Sequence, residues 1–238
     1  MDDSIIPAEC EWIISQGKRA NDLDIYNSLA YIIKNKRNNI NMLSFPASKW
    51  VFERGILDNL NTLTPSFSFH GIDKCPIVLK QAKRTMRKLK KEYANHNFYL
   101  PASPCTMQNY LNHTTNTFDI IYADWMGTWS SEKNKEVETM FERNLLRDNS
   151  LLIYTIMLGR GRPETMNELS ALSGSTFISF PFESYRTNDN FAAKTKGLSN
   201  KIYLLGRKHG YDVDIIHFSE YVGRTTPELS FIFKCKLI

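Results

Sequence analysis

The sequence predicts an α/β fold built on a mostly parallel sheet, with a helical extension in front of it. Short, near-continuous apolar runs at residues 118–123 and 151–158 suit strands covered on both faces, as in a parallel sheet. Such runs alternate with amphipathic helical segments from Ile40 to His209. Two more strands, 211–221 and 228–237, then follow each other across the hairpin-length loop Gly223-Arg224-Thr225-Thr226-Pro227.

The elements follow in order. Residues 1–39 read as two short helices, about 9–16 and 22–36, because Trp12, Ile13 and Ile14, then Leu23, Ile25, Leu29, Ile32 and Ile33, recur at three- and four-residue spacings. They would cover a face or edge of the domain formed by residues 40–238, or close over a ligand as a lid. Ile40 to Phe45 reads as the first strand, ended by Pro46, which cannot donate to a ladder. Ser48 suits the N-cap of a helix through Trp50, Val51, Phe52, Ile56, Leu57 and Leu60. Residues 67–74 read as the second strand, ending in Gly71-Ile72-Asp73.

Pro76 then opens a helix with Val78, Leu79, Ala82, Met86 and Leu89 on its apolar face. Its other face carries Lys80, Lys83, Arg84, Arg87, Lys88, Lys90 and Lys91, and either meets water or binds a polyanion. Residues 97–100 form the third strand, before a helix near 107–111. The fourth strand precedes an amphipathic helix over 132–146, a turn at Arg147-Asp148-Asn149, and the fifth strand, which leads into Gly159-Arg160-Gly161-Arg162-Pro163. A helix over 163–172 is followed by an irregular excursion over 173–198. A helix over 200–209 then ends at Gly210.

Composition narrows the classes. The chain has 238 residues, 42% of them hydrophobic, enough for one large domain with a full core. No apolar run approaches the roughly 18 residues of a membrane span. The acidic start M-D-D-S-I-I-P lacks the apolar core of a secretory signal. Cys10, Cys75, Cys105 and Cys235 are scattered with no C-x-x-C pair, so neither structural zinc nor a disulfide framework is implied, and a reducing, cytoplasmic setting fits. The net charge of +5 is compatible with a nucleic-acid partner.

In open α/β sheets ligands bind just beyond the carboxyl ends of the strands. The stretch F-D-I-I-Y-A-D-W-M-G-T-W-S, residues 118–130, puts Asp124 at such an end, followed by Trp125 and Trp129. These three are the first site candidates. The alternative is that Asp124 caps the next turn and Trp125 packs in the core.

Five β/α units closed by a hairpin resemble the class I S-adenosylmethionine-dependent methyltransferases over about residues 40–238. The resemblance implies a doubly wound, seven-stranded, mostly parallel sheet with an antiparallel last strand, and S-adenosylmethionine as cofactor. Gly71-Ile72-Asp73 looks like the family's second-strand end, where an acid holds the two ribose hydroxyls of the cofactor. A carboxylate can accept both O–H bonds of a cis-diol. F-D-I-I-Y-A-D-W-M-G looks like its fourth-strand motif, beside the reacting centre.

Four departures accompany these matches. The first loop, F-P-A-S-K-W, has no glycine to let the backbone approach the cofactor, so Pro46, Ala47 and Ser48 stand there. Ser103 follows the third strand where an acid often contacts adenine. Trp125-Met126 replace the two prolines of enzymes that methylate exocyclic amino groups of bases. Pro104-Cys105 lies in the wrong place for the nucleophile of 5-cytosine enzymes, and Cys105 reads as a buried thiol. Glu53, early in the second helical segment, either binds the cofactor's amino group or is a surface or capping residue.

On this resemblance the cofactor contacts are Pro46, Ala47, Ser48, Glu53, Asp73 and Ser103. Asp124 orients the acceptor or takes its proton, and Trp125 and Trp129 hold a flat acceptor or the cationic sulfonium. Arg160 and Arg162 contact substrate phosphate or sit in a solvated loop. The expected function is methyl transfer, with a nucleic acid, RNA or DNA, as favoured substrate. A non-catalytic binding or regulatory protein on a degenerate methyltransferase fold is the alternative. A nicotinamide enzyme would need a G-x-G-x-x-G turn and a hydrolase a G-x-S-x-G elbow, and the sequence has neither.

Overall fold

The computed structural model describes residues 16–33, 39–60, 66–124, 127–159, 161–178, 189–222 and 227–238. Strands β1 (Ile40–Ser44), β2 (Phe67–Gly71), β3 (Asn97–Tyr99), β4 (Phe118–Asp124), β5 (Leu146–Met157), β6 (Tyr211–Val222) and β7 (Pro227–Leu237) form one seven-stranded sheet in the order β3-β2-β1-β4-β5-β7-β6. Neighbours from β3 to β5 pair in parallel, and β7 runs antiparallel to both β5 and β6, between which it lies. The helices are α1 (Gln16–Ile33), α2 (Val51–Leu60), α3 (Pro76–Glu92), α4 (Met107–His113), α5 (Ser131–Glu142), α6 (Pro163–Ser173), α7 (Asp189–Ala192) and α8 (Leu198–Lys208). A π-helical turn, Ala193–Gly197, joins the last two.

The sheet is covered on both sides because successive strand residues point to opposite faces. Met42, Ile120 and Ile232 pack with α1, α2 and α3, whereas Leu43, Ile121 and Phe231 pack with α4, α5 and α8. Ile25, Leu29 and Ile33 of α1 share one apolar cluster with Phe52 and Ile56 of α2. No helix among the described residues is long and apolar enough to cross a membrane.

Several boundaries differ from the sequence reading. Helix α1 starts at Gln16 rather than 22, and the expected helix over 9–16 falls almost wholly outside the described residues. Strand β5 begins at Leu146, so Arg147-Asp148-Asn149 lies inside it. Their turn character survives as a bulge: Phe118 pairs with Leu146 but Ile120 with Leu151, and Asn149 takes a φ of +55°. The buried Asp119 carboxylate anchors this bulge by accepting from Arg147 Nη1 at 2.8 Å and from the Asn41 backbone N–H at 3.0 Å. Ser48 does not cap α2, which starts three residues later, at Val51. In the expected excursion over 173–198, the chain is helical from Asp189 onward, and residues 179–188 lie outside the described set.

Candidate active site

The carboxyl ends of β1, β2, β4 and β5 lie side by side, and the chain brings acids to three of them. At β1, the Ser44 hydroxyl donates to Glu53 Oε1 at 2.5 Å. Glu53 belongs to the first turn of α2, is fully buried, and its Oε2 has no hydrogen-bond partner among the described residues. Burial raises the Glu53 carboxyl to about 7; the Ser44 hydrogen bond lowers it, and the nearby Asp124 charge adds to the rise. Asp124, half-buried at the end of β4, faces Thr155 of β5 in register, and the Thr155 hydroxyl donates to its Oδ1. At β2, Asp73 Oδ1 accepts from the Cys75 N–H at 2.7 Å, while its backbone carbonyl accepts from the Cys105 N–H at 3.0 Å. Burial raises the Asp73 carboxyl above the usual aspartate range.

The loop after β1 is tight despite having no glycine. Its Pro46 carbonyl accepts from the Trp50 N–H at 2.9 Å. Ala47 and Trp50 take φ values of +48° and +54°, strained for residues with a Cβ. Trp50 is fully buried and repays part of that strain. Its Nε1 donates to the Ala82 carbonyl of α3 at 3.0 Å, and its ring meets Phe98 edge-on at 5.5 Å. The buried Pro46 ring occupies the space beside Gly71, where an added Cβ would lie 2.6 Å from Pro46 Cγ. Gly71 thus leaves the room at the end of β2 that the Pro46 ring fills.

The other candidates scatter. Ser48 is half-buried, and its carbonyl accepts from Thr85 Oγ1 at 2.9 Å. Ser103 is exposed, and so is Arg162, the residue before α6. Trp129 is 3% exposed, with its ring 5.9 Å from that of Tyr154, so it sits in the core beneath the edge rather than on an open surface. Cys105 is half-buried rather than buried. Trp125 and Arg160 lie outside the described residues.

Three features were missed in the sequence. Tyr221, near the end of β6, donates to Glu228 Oε2 at 2.7 Å and is electrostatically coupled to Asp124. Lys133, in the first turn of α5, donates from Nζ to the Thr128 carbonyl at 2.6 Å. Lys194, fully buried in the π-turn, donates to the Gly159 carbonyl. Burial lowers both lysines to about 8. They pin the loops after β4 and β5. The π-turn needs Gly197, because a Cβ there would meet the Leu169 carbonyl oxygen at 2.0 Å.

No protein-family model matches the sequence, and no curated protein does. Solved structures do match. Trm5b from Pyrococcus abyssi superposes with a TM-score of 0.55 at 10% identity, over 94% of this chain and 51% of that one. TYW2 of P. horikoshii, solved in complex with MeSAdo, gives 0.52 at 10% identity, over 95% of this chain and 65% of that one. A Listeria monocytogenes protein assigned to the class I S-adenosylmethionine-dependent methyltransferases gives 0.53 at 10% identity, over 96% of this chain and 64% of that one. The chain thus spans about half to two thirds of the length of these proteins. Strand order, the single antiparallel strand and these superpositions agree, and the chain has a divergent form of the class I S-adenosylmethionine-dependent methyltransferase fold.

Proposed function

We propose that the chain is an S-adenosylmethionine-dependent methyltransferase acting on a nucleic acid, with its reaction centre at the carboxyl edge of β1, β2 and β4. The observation that carries this reading is the gathering of Asp73, Glu53 and Asp124 at that edge, with one buried Glu53 oxygen lacking a hydrogen bond among the described residues. Such a set fits a ligand that offers a diol and carries positive charge. Asp73 would hold the ribose, and the Pro46-Ala47-Ser48 backbone and Ser103 would border the cofactor. Glu53 would meet the cofactor's amino group. S-adenosylmethionine, when bound, supplies the activated methyl group.

The remaining work belongs to the chain's own residues. The Thr155 hydroxyl fixes Asp124 Oδ1, so that the carboxylate can align an acceptor and take its proton. Trp125 would bound the acceptor side, and Arg160 and Arg162 would meet substrate phosphate. The alternative, a binding protein on this fold, is favoured by the Pro46 ring packed against Gly71 and by the glycine-free loop.

Calorimetry with S-adenosylmethionine and S-adenosylhomocysteine separates the two readings. Micromolar binding that is lost in Asp73→Ala supports the enzyme. No heat at millimolar cofactor, with the protein folded by circular dichroism, overturns it in favour of the binding protein.

A further inference from the structure

Helix α3 concentrates the chain's charge. It carries seven Lys and Arg residues against one acid, Glu92, while the whole chain has a net charge of +5, so the rest is close to neutral. Helix α5, by contrast, mixes signs, interleaving Glu132, Lys135, Glu138 and Glu142. On α3 the pairs Lys80–Arg84, Lys83–Arg87, Arg84–Lys88 and Arg87–Lys91 all place like charges four residues apart, which destabilises a free helix. A face that only meets water has no need of such crowding, whereas a polyanion neutralises it. From Lys80 to Lys91 the row extends about 16 Å at the α-helical rise, long enough to follow successive phosphates.

The row ends beside an aromatic cleft. Strand β3 is the edge of the sheet, and the Nζ of Lys90 lies 6.0 Å from the ring centroid of Tyr99. Tyr99 is 47% exposed and stacks on His70 at 4.7 Å, with 24° between the rings. Together with Asn41, Ser68, Tyr110 and Asn116, these two rings line a cleft of about 480 Å³ on the face of β2 and β3 opposite α3. Among the described residues, no charged side chain lines it. Burial lowers His70 to about 4, so its ring is neutral at pH 7. A neutral cleft of rings, amides and hydroxyls suits a nucleobase, which offers a flat face and hydrogen-bonding edges. The sheet is otherwise covered on both faces, so the polar cleft left at its β2–β3 edge is a departure that a ligand would fill. A membrane surface fits less well, because Val78, Leu79, Ala82 and Leu89 of α3 are buried against the sheet and cannot enter lipid.

We propose that α3 and the β3 edge form a binding surface for single-stranded nucleic acid, with phosphates along the basic row and one base in the cleft against Tyr99. This deepens the nucleic-acid part of the proposed function, yet it is read without cofactor. Binding of RNA by a chain that ignores S-adenosylmethionine would keep this surface while overturning the enzyme, and the converse result would do the opposite.

The test is fluorescence anisotropy with a labelled, mixed-sequence single-stranded RNA of about 12 nucleotides, its duplex, and vesicles rich in anionic lipid, across a range of salt concentrations. The wild type should bind the single strand most tightly. The combined variant Arg84→Gln, Arg87→Gln, Lys88→Gln, Lys91→Gln should lower the log–log salt slope by about three, at about 0.7 per phosphate contact. It should melt no lower than the wild type, since repulsion is removed. Tyr99→Ala should weaken single-strand binding by about five- to a hundredfold while Tyr99→Phe does not, as expected for a stacked base. An unchanged salt slope in the four-site variant, duplex or vesicle binding as tight as single-strand binding, or an unaffected Tyr99→Ala would each overturn the proposal.

Discussion

The Ser44 hydroxyl donates to Glu53 Oε1 at 2.5 Å, tying the last residue of β1 to the first turn of α2. A carboxyl so enclosed is easier to bury protonated than charged. Its folded value of about 7 lies above the ordinary 4.5, so the folded state keeps the proton that the unfolded chain releases first. The contribution to stability is therefore full below about 4.5 and falls as pH rises through about 7, by about 3 kcal/mol in all. His70, lowered to about 4, works in the opposite direction over much of the same window, so the curve of the wild type alone is not diagnostic. Glu53→Gln keeps an acceptor for Ser44 and removes the titration. Chemical denaturation at pH 5.5 and 8 should show it gaining on the wild type at the higher pH. An equal pH dependence in the two proteins would mean that Glu53 does not titrate there.

Ser44→Ala leaves Glu53 Oε1 without its donor in a buried site. The expected loss is about 1–3 kcal/mol, the cost of an unsatisfied buried group. The midpoint of urea unfolding should drop with an unchanged slope. Ser44→Ala in the Glu53→Gln background should cost less, because no carboxylate is then stranded.

Gly71→Ala puts a methyl group 2.6 Å from Pro46 Cγ and 2.9 Å from Leu100 Cδ2. Leu100 has rotamers to use, whereas the proline ring has none of note. We expect a loss of about 1–3 kcal/mol from overpacking. Pro46→Ala should recover part of it in the double variant. A strictly additive double-mutant cycle would show that the two residues are not in contact.

Lys133 and Lys194 both fall to about 8 in the folded state against an ordinary 10.5. The folded chain loses these protons first, so stability should rise as pH climbs from about 8 toward 10.5 and is forgone as pH falls through 8. Lys194→Met keeps the length and apolar bulk of the side chain and removes the charge. Thermal melts should show it at least as stable as the wild type at pH 7, with a shallower rise at alkaline pH. A large destabilisation at pH 7 would instead mean that the ammonium–carbonyl contact at Gly159 outweighs the cost of burying the charge.

The alternation of runs from Ile40 to His209 made the fold legible, since strand and helix periods differ and each element here keeps its own. The buried acid was also readable. Glu53 stands three, four and seven residues before Ile56, Leu57 and Leu60, on the stripe that faces the core, and a glutamate on that stripe is a signal. Lys133 gives the same signal ahead of Val137 and Met140. Lys194 gave none, because a π-turn has no period that a sequence displays. Trp129 misled in the other direction: position after a strand end does not tell whether an indole lines a pocket or fills the core under it. The turn at Arg147-Asp148-Asn149 was a sound reading of local chemistry that the neighbouring strands absorbed as a bulge.

Strand β7 enters a slot between β5 and β6, pairing Ser150 with Cys235 at one end and Met157 with Glu228 at the other. During synthesis, β5 emerges long before its partner does. For about 70 residues of translation, several seconds at ordinary elongation rates, the backbone groups of that central strand have no neighbour on one side. An open strand edge of this kind invites pairing with another chain. The nascent protein is thus most exposed to aggregation in mid-translation, and chaperone engagement would matter most between the emergence of Met157 and that of Glu228.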